Sequence, residues 1–417
     1  MKIALVNYRY FVTGGPERYM FNIKELLEKN GHEVIPFSIK HNNNVTTPYE
    51  SFFLDPIGNG DIIYSKEYKR NVKINLQVAG RMIYSFKAKR KFKTFLAAIK
   101  PDIIYILHFQ NKLSCSIIDA AKKSGIPVVQ RISDFSHICP NVILYRKEKG
   151  ICEDCIEKNL MQAVKHKCIS DSYIASSIKT FSLYIMNILK IKDKIDAFVF
   201  PSTFTMQKYI NSGFKSDKLY HIPTFYNTKL SDEKSAISYN NFALYIGRID
   251  EDKGIKTLID AFIDTNQKLI MIGGSSSEFG NQMIEYLKDK QHNIQFLGNL
   301  QFEQVKVYLQ TCAFTICPSI WYENFPNTIL ESFAHKKAVI ASDRGSLKEL
   351  VIENKTGLLF TPENSEHLRI KCSNMFENLD KTIYMGENAY YFMLEKFSMN
   401  KHYDALNKVF SLVKDKK

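Results

Sequence analysis

No stretch of this 417-residue chain is long and apolar enough to span a bilayer; the densest run, FSLYIMNIL at 181–189, is too short. The opening MKIALVNYRYF turns polar at Asn7, too early for a secretory leader, so a cytoplasmic location is expected. A G-x-G-x-x-G turn after the first strand is also missing. VNYRYFVTGGPER is too long and holds only two glycines, which argues against a Rossmann dehydrogenase. There is no internal repeat and no low-complexity tract. Acidic residues are scarce in one place: residues 61–100 set 11 Lys/Arg against Asp61 and Glu67 alone. The formal net charge of +14 is therefore uneven, with +15 in residues 1–240 and −4 in residues 241–390. A basic half suits an anionic partner, whether nucleic acid, membrane surface or acidic substrate, and a merely solvated lysine-rich surface is the other reading. Nucleic acid fits less well, because the charge is confined to one half and no known reader motif accompanies it.

What is present reads as globular: 45% hydrophobic and 24% charged residues. KIALVNY is a compact apolar run that ends in a polar turn. TGGPERYMFNIKELLEKNGHEV then places Tyr19, Ile23, Leu26 and Leu27 at helical spacing, with Pro16 suited to the first helical position and Gly31 closing the helix. EVIPFS resumes as a strand, completing a β-α-β unit. PDIIYIL, IPVVQRI, DAFVFPS and LYHIP continue the series. After a polar linker at 227–241, FALYIGRI, KLIMIGG, IQFLG, FTICPS and AVIAS form a second one. Two such series predict two Rossmann-like parallel-sheet α/β domains, over 1–228 and 240–387, with a helical segment over 388–417. Ligands in open sheets of this kind sit at the carboxyl ends of the strands, so a cleft between two facing domains is the expected site.

Arg248 and Lys253 follow the first strand of the second series directly, and their side chains suit phosphate oxygens. Further on, YENFPNTILESF carries Glu323 and Glu331. Eight residues of helix rise about 12 Å and miss a whole number of turns by about 80°, so the two carboxylates cannot share one ligand atom. Pro326 disfavours helix before it and suits the first helical position, which leaves Glu323 in a loop and Glu331 inside the helix. The geometry suits an elongated ligand: a polar head at Glu323, phosphates at the helix start, and ribose hydroxyls at Glu331.

TGGPERY, YIGRIDEDKG, IGG after a strand, the spacing of Glu323 and Glu331, and AVIASDRGSLKELV with TGLLF occur in an order that resembles glycosyltransferase family 4. These are retaining enzymes of the GT-B fold, acting in polysaccharide biosynthesis. The resemblance spans nearly the whole chain and implies a nucleotide-diphosphate sugar donor, UDP- or GDP-linked, with no cofactor for catalysis. It implies that Arg248 and Lys253 contact the donor diphosphate and that Glu323 meets the transferred sugar. Glu331 would bind ribose, with Asn324, Phe325 and Asn327 completing the donor grip and Gly14-Gly15 letting backbone approach the phosphates. The final helix would cross back onto the first domain. Asp134 and His108 are placed on the acceptor side. Asn324 stands where the family often has Gly, as does Arg344.

Four of the eight cysteines, Cys139, Cys152, Cys155 and Cys168, are spaced C-x12-C-x2-C-x12-C in an insertion at 137–168. This spacing suits a structural zinc, with His137 or His166 able to substitute, and free thiols in a loop are the alternative. SFKAKRKFKTFLAAIK at 85–100 alternates apolar and basic side chains. Its apolar stripe suits packing on a sheet, while its positive outer face suits an anionic bilayer. Peripheral association with the inner face of the membrane through residues 61–100, and a lipid-linked or anionic glycan acceptor, are therefore expected.

Overall fold

The computed structural model describes residues 1–58, 71–227, 237–275, 277–288 and 293–416. Residues 61–70 of the basic segment and most of the expected linker lie outside the described residues. The chain divides into two compact units. One comprises Met1–Leu144, Cys152–Ile222 and Tyr403–Lys417, the other Tyr145–Ile151 and Pro223–His402.

The first unit is built on six parallel strands: β1 (Lys2–Val6), β2 (Glu33–Phe37), β3 (Ile103–Ile106), β4 (Val128–Arg131), β7 (Ala197–Phe200) and β8 (Leu219–His221). They run in the order β2-β1-β3-β4-β7-β8. Every residue of β3, β4 and β7 is buried, because helices cover both faces; β3 and β7 accordingly read as continuous apolar runs, while β4 ends in the buried polar pair Gln130 and Arg131. The helix Phe86–Ile99 buries Phe92, Phe95 and Leu96, and its Phe92 ring meets Phe37 at 4.7 Å, so its apolar stripe is core. Phe86, at its start, is 75% exposed.

The strands β5 (Tyr145–Arg146) and β6 (Gly150–Ile151) form a short antiparallel hairpin that belongs to the second unit. That unit's sheet joins β9 (Phe242–Ile246), β10 (Lys268–Ile272), β11 (Ile294–Phe296), β12 (Phe314–Cys317), β13 (Val339–Ser342) and β14 (Gly357–Phe360), in the order β11-β10-β9-β12-β13-β14. All its pairings are parallel. The direction of winding reverses between β9 and β12, and the crevice at such a reversal is where doubly wound sheets take ligands. Two Rossmann-like units in one chain are the composition of the GT-B fold.

Two local readings are corrected. The helical segment after 388 belongs to two helices, Leu379–Lys396 and Met399–Asp415. Ser398 caps the second: its Oγ accepts from the Lys401 amide at 3.4 Å and its carbonyl from the His402 amide. From Tyr403 onward this helix packs on the first unit's sheet, with Phe410 against Tyr105 and Lys414 paired to Asp102 at 2.8 Å. Pro326 is the capping residue, with extended backbone, and Asn327 opens the helix.

Candidate active site

The loop after β9 carries Arg248 and Lys253, and the loop after β12 carries Glu323. Gly254 brings them together. Its φ of +71° closes the turn Glu251–Lys253, and a Cβ there would lie 2.0 Å from the Pro318 carbonyl oxygen, so only glycine permits the approach. The Ile320 amide donates to the Asp252 carbonyl at 3.0 Å, zipping the two loops.

Lys253 Nζ then donates to Glu323 Oε1 at 2.6 Å. The same oxygen accepts from Ser319 Oγ at 2.6 Å and from the indole N–H of Trp321 at 2.9 Å. Lys253 also lies 4.6 Å from the centroid of the Trp321 ring. The pair's side chains are 17% and 10% exposed. Burial pushes the Glu323 carboxyl up, but the Lys253 ammonium and the three hydrogen bonds outweigh it and hold the group below its ordinary range. Glu323 Oε2 accepts no hydrogen bond among the described residues, so one carboxylate oxygen is fixed and the other is available.

Arg248 is half exposed and bonds to Asp250 and Asp252, the latter at 2.9 Å. Burial raises Asp252 above the usual carboxylate range despite Arg248 and Lys253. Asp250 is itself held by Ser277 Oγ at 2.5 Å. The 319–324 loop is braced twice: Ser346 Oγ donates to the Glu323 carbonyl at 2.6 Å, and the Arg344 guanidinium donates to the Ile320 carbonyl. Arg344 thus has a positioning role that glycine could not fill. Asn324 has no positive φ, so asparagine in place of glycine carries no backbone strain. Phe325 packs edge-on to Phe397 at 5.6 Å. Asn327 is the first residue of the helix Asn327–Ala334, and Glu331, its fifth, is buried. The hairpin borders the same acids: Lys147 lies 3.6 Å from Glu251, and the Tyr145 hydroxyl is pushed up to about 12 by burial, then Glu251, Glu363 and Asp252.

In the first unit, Gly14-Gly15 follow β1, His108 follows β3 and Asp134 follows β4. Gly14 has extended backbone, and a Cβ there would meet nothing nearer than 3.9 Å. His108 Nδ1 lies 3.9 Å from Asp134 Oδ2, and burial lowers its pKa despite that carboxylate. Lys179, from the helix Tyr173–Ile188, is brought to about 8 by burial, with Asp134 opposing.

Cys139, Cys152, Cys155 and Cys168 are free thiols, and burial pushes Cys155 up to about 12. Among the described residues, no group of three or more His, Cys, Asp or Glu side chains is placed to hold a metal ion. His137 is a core residue bonded to Gln110 and Gln130. Ser319, Trp321, Asp250, Asp252 and Ser346 escaped the sequence reading. The one available signal was Trp321 itself, the chain's single tryptophan, two residues before Glu323.

Residues 227–392, which contain this constellation, match the family model described as glycosyl transferases group 1. Over 177 residues the chain is 33% identical to an uncharacterized glycosyltransferase of Methanocaldococcus jannaschii, covering 42% of this chain and 49% of that protein. The chain thus spans about half the length of that relative. It is 24% identical over 357 residues to a 42.6 kDa protein in the cps region of Klebsiella pneumoniae, covering 84% and 87%. Over 138 residues it is 30% identical to the lipopolysaccharide 1,2-N-acetylglucosaminetransferase of Salmonella typhimurium, covering 30% and 36%. The fold matches that of Anabaena HepE in complex with UDP-glucose, with a TM-score of 0.63 at 18% identity over 99% of this chain and 100% of that one.

Proposed function

We propose that this protein is a retaining hexosyltransferase of cell-surface polysaccharide assembly. It moves a sugar from a UDP- or GDP-linked donor to a lipid-linked or anionic glycan acceptor at the inner face of the membrane. The observation that carries this reading is the half-committed carboxylate of Glu323: Oε1 holds three donors, and Oε2 is left to accept from a sugar hydroxyl. The setting supports it, since the carboxylate lies at the β9/β12 reversal inside the segment matching the group 1 family model.

In the reaction, the bond from the sugar's anomeric carbon to the diphosphate oxygen breaks, and the diphosphate leaves with the electron pair. The acceptor oxygen bonds to the anomeric carbon on the same face, and its proton passes to the leaving phosphate. Arg248 and Lys253 neutralise the charge that develops, supplying at the donor site the role a metal ion would otherwise fill. The helix starting at Asn327 adds backbone N–H groups, Asn324 and Phe325 line the donor, and Glu331 takes ribose hydroxyls. Gly14-Gly15 leave room for the phosphates. His108 and Asp134 belong to the acceptor side. A structural zinc on Cys139, Cys152, Cys155 and Cys168 rests on their spacing alone, and elemental analysis of the purified protein tests it.

The experiment is a thermal-stability screen of nucleotide sugars, followed by product analysis with the best donor. A UDP- or GDP-sugar that raises the melting temperature and yields a product of unchanged anomeric configuration is the expected result. Stabilisation by none of them, or an inverted product, contradicts the reading.

A further inference from the structure

The helix Tyr173–Ile188 has two kinds of face. Ser176, Thr180, Ser182, Leu183 and Met186 are buried, while Ile174, Phe181 and Ile188 are 75%, 51% and 71% exposed. Those three recur at intervals of seven, so they share one face along the helix. Ser182 Oγ donates to the Met82 carbonyl at 2.6 Å and ties this helix to a neighbour, Val72–Ile83. On that neighbour Val72 and Leu76, one turn apart, are 76% and 68% exposed. Phe86 opens the next helix at 75% exposure. A lone exposed apolar residue means little; six on three successively linked helices of one unit are a surface feature.

The charges around them are one-sided. Residues 71–101 and 172–192 contain no Asp or Glu at all, though both stretches carry lysines. Some of this positive charge is met from elsewhere: Lys87 pairs with Asp55 at 2.9 Å, and Lys89 lies 3.7 Å from Asp119. Lys73, Arg90, Lys93 and Lys190 form no ion pair among the described residues. The exposed Asp171 and Asp193 bound the second stretch, but no acid lies within either one. Apolar side chains in stretches whose own charges are all positive complement an anionic lipid surface: the side chains enter the acyl boundary and the cations meet headgroup phosphates. A protein partner would need acids of its own, and nucleic acid would leave the apolar stripe without a function. No helix among the described residues is long and apolar enough to cross a membrane, so the contact is interfacial.

We infer that Ile174, Phe181 and Ile188, with Val72, Leu76 and Phe86, dock the first unit onto an anionic bilayer, and that Tyr173–Ile188 is the principal interfacial helix. This rests on the inner-membrane part of the reading above but not on its donor chemistry.

The test is co-sedimentation of the full chain with vesicles of phosphatidylcholine alone or with about one third phosphatidylglycerol. Wild type is expected to bind the anionic vesicles, more weakly as salt rises. The variant Ile174→Ser/Phe181→Ser/Ile188→Ser is expected to partition at least about tenfold more weakly. Ile174→Leu/Ile188→Leu should restore binding when only Phe181→Ser is kept. The melting temperature and the UDP response of Trp321, in the other unit, serve as controls for folding. Vesicle binding that is absent in wild type, or equal in wild type and the triple serine variant, overturns the proposal. So does a triple variant that changes only self-association or nucleic-acid binding. A lost UDP response with intact vesicle binding contradicts the donor reading and leaves the docking surface standing.

Discussion

Removing Lys253 isolates a carboxylate that the fold has already buried. The Nζ to Oε1 distance is 2.6 Å, and the two side chains are 17% and 10% exposed, so solvent screens the pair little. Breaking a buried pair by deleting one partner destabilises by about 3–5 kcal/mol. Glu323 keeps Ser319 and Trp321 as donors, which brings Lys253→Met to or just below the bottom of that range, about 2–3 kcal/mol. In the double variant Lys253→Met/Glu323→Gln the buried charge is gone, and about half of that loss should return, giving a coupling of at least about 1 kcal/mol. Urea unfolding followed by tryptophan emission measures this, because Trp321 is the chain's single tryptophan and bonds to the carboxylate in question. The sign with pH is fixed as well. The carboxyl is held below its ordinary range in the folded state, so the coupling is present above that range and vanishes as pH falls through the lower folded value. Strict additivity of the two substitutions, within about 0.5 kcal/mol, would refute the argument.

Gly14→Val probes a glycine the fold does not need: its backbone is extended, and a Cβ meets nothing nearer than 3.9 Å. Melting temperature should move by no more than about 2 °C while turnover falls at least about tenfold; unchanged turnover would show that no ligand approaches there. Lys337 is fully buried, its Nζ donating to the Ser238 carbonyl at 2.6 Å, and burial lowers it to about 8. Between that value and the unfolded lysine's, the unfolded chain holds the extra proton, so stability should rise with pH across the window by about 3 kcal/mol. Lys337→Met should abolish that rise; an unfolding difference between the two proteins that does not vary with pH contradicts it.

The strands were legible because parallel strands buried on both faces are unbroken apolar runs. KIALV, FALYI and VIAS each announce themselves without reference to anything distant. Lys253 and Glu323 were legible as members of a familiar pattern, yet their contact across 70 residues was not, since it depends on Gly254 fitting against the Pro318 carbonyl. Nothing local showed that Arg248 would be held by Asp250 and Asp252, or that Arg344 would brace the Ile320 carbonyl. The hairpin Tyr145–Ile151 escaped because strands of two residues have no periodicity to read. FSLYIMNIL was informative only as a run too short to span; which of its side chains face outward is decided by the helix's packing, through Ser182 on Met82 among other contacts.

Trp321 offers the most direct measurement of all. Its indole N–H sits on the oxygen of Glu323 that Lys253 also holds, so any ligand seated in this crevice changes its surroundings. Titrating UDP- and GDP-sugars into the wild-type protein should change tryptophan emission saturably for at least one of them, with the response lost in Lys253→Met and weakened in Arg248→Ala. An emission spectrum indifferent to every nucleotide sugar, or a response that survives the loss of Lys253, would show that this crevice is not the donor site.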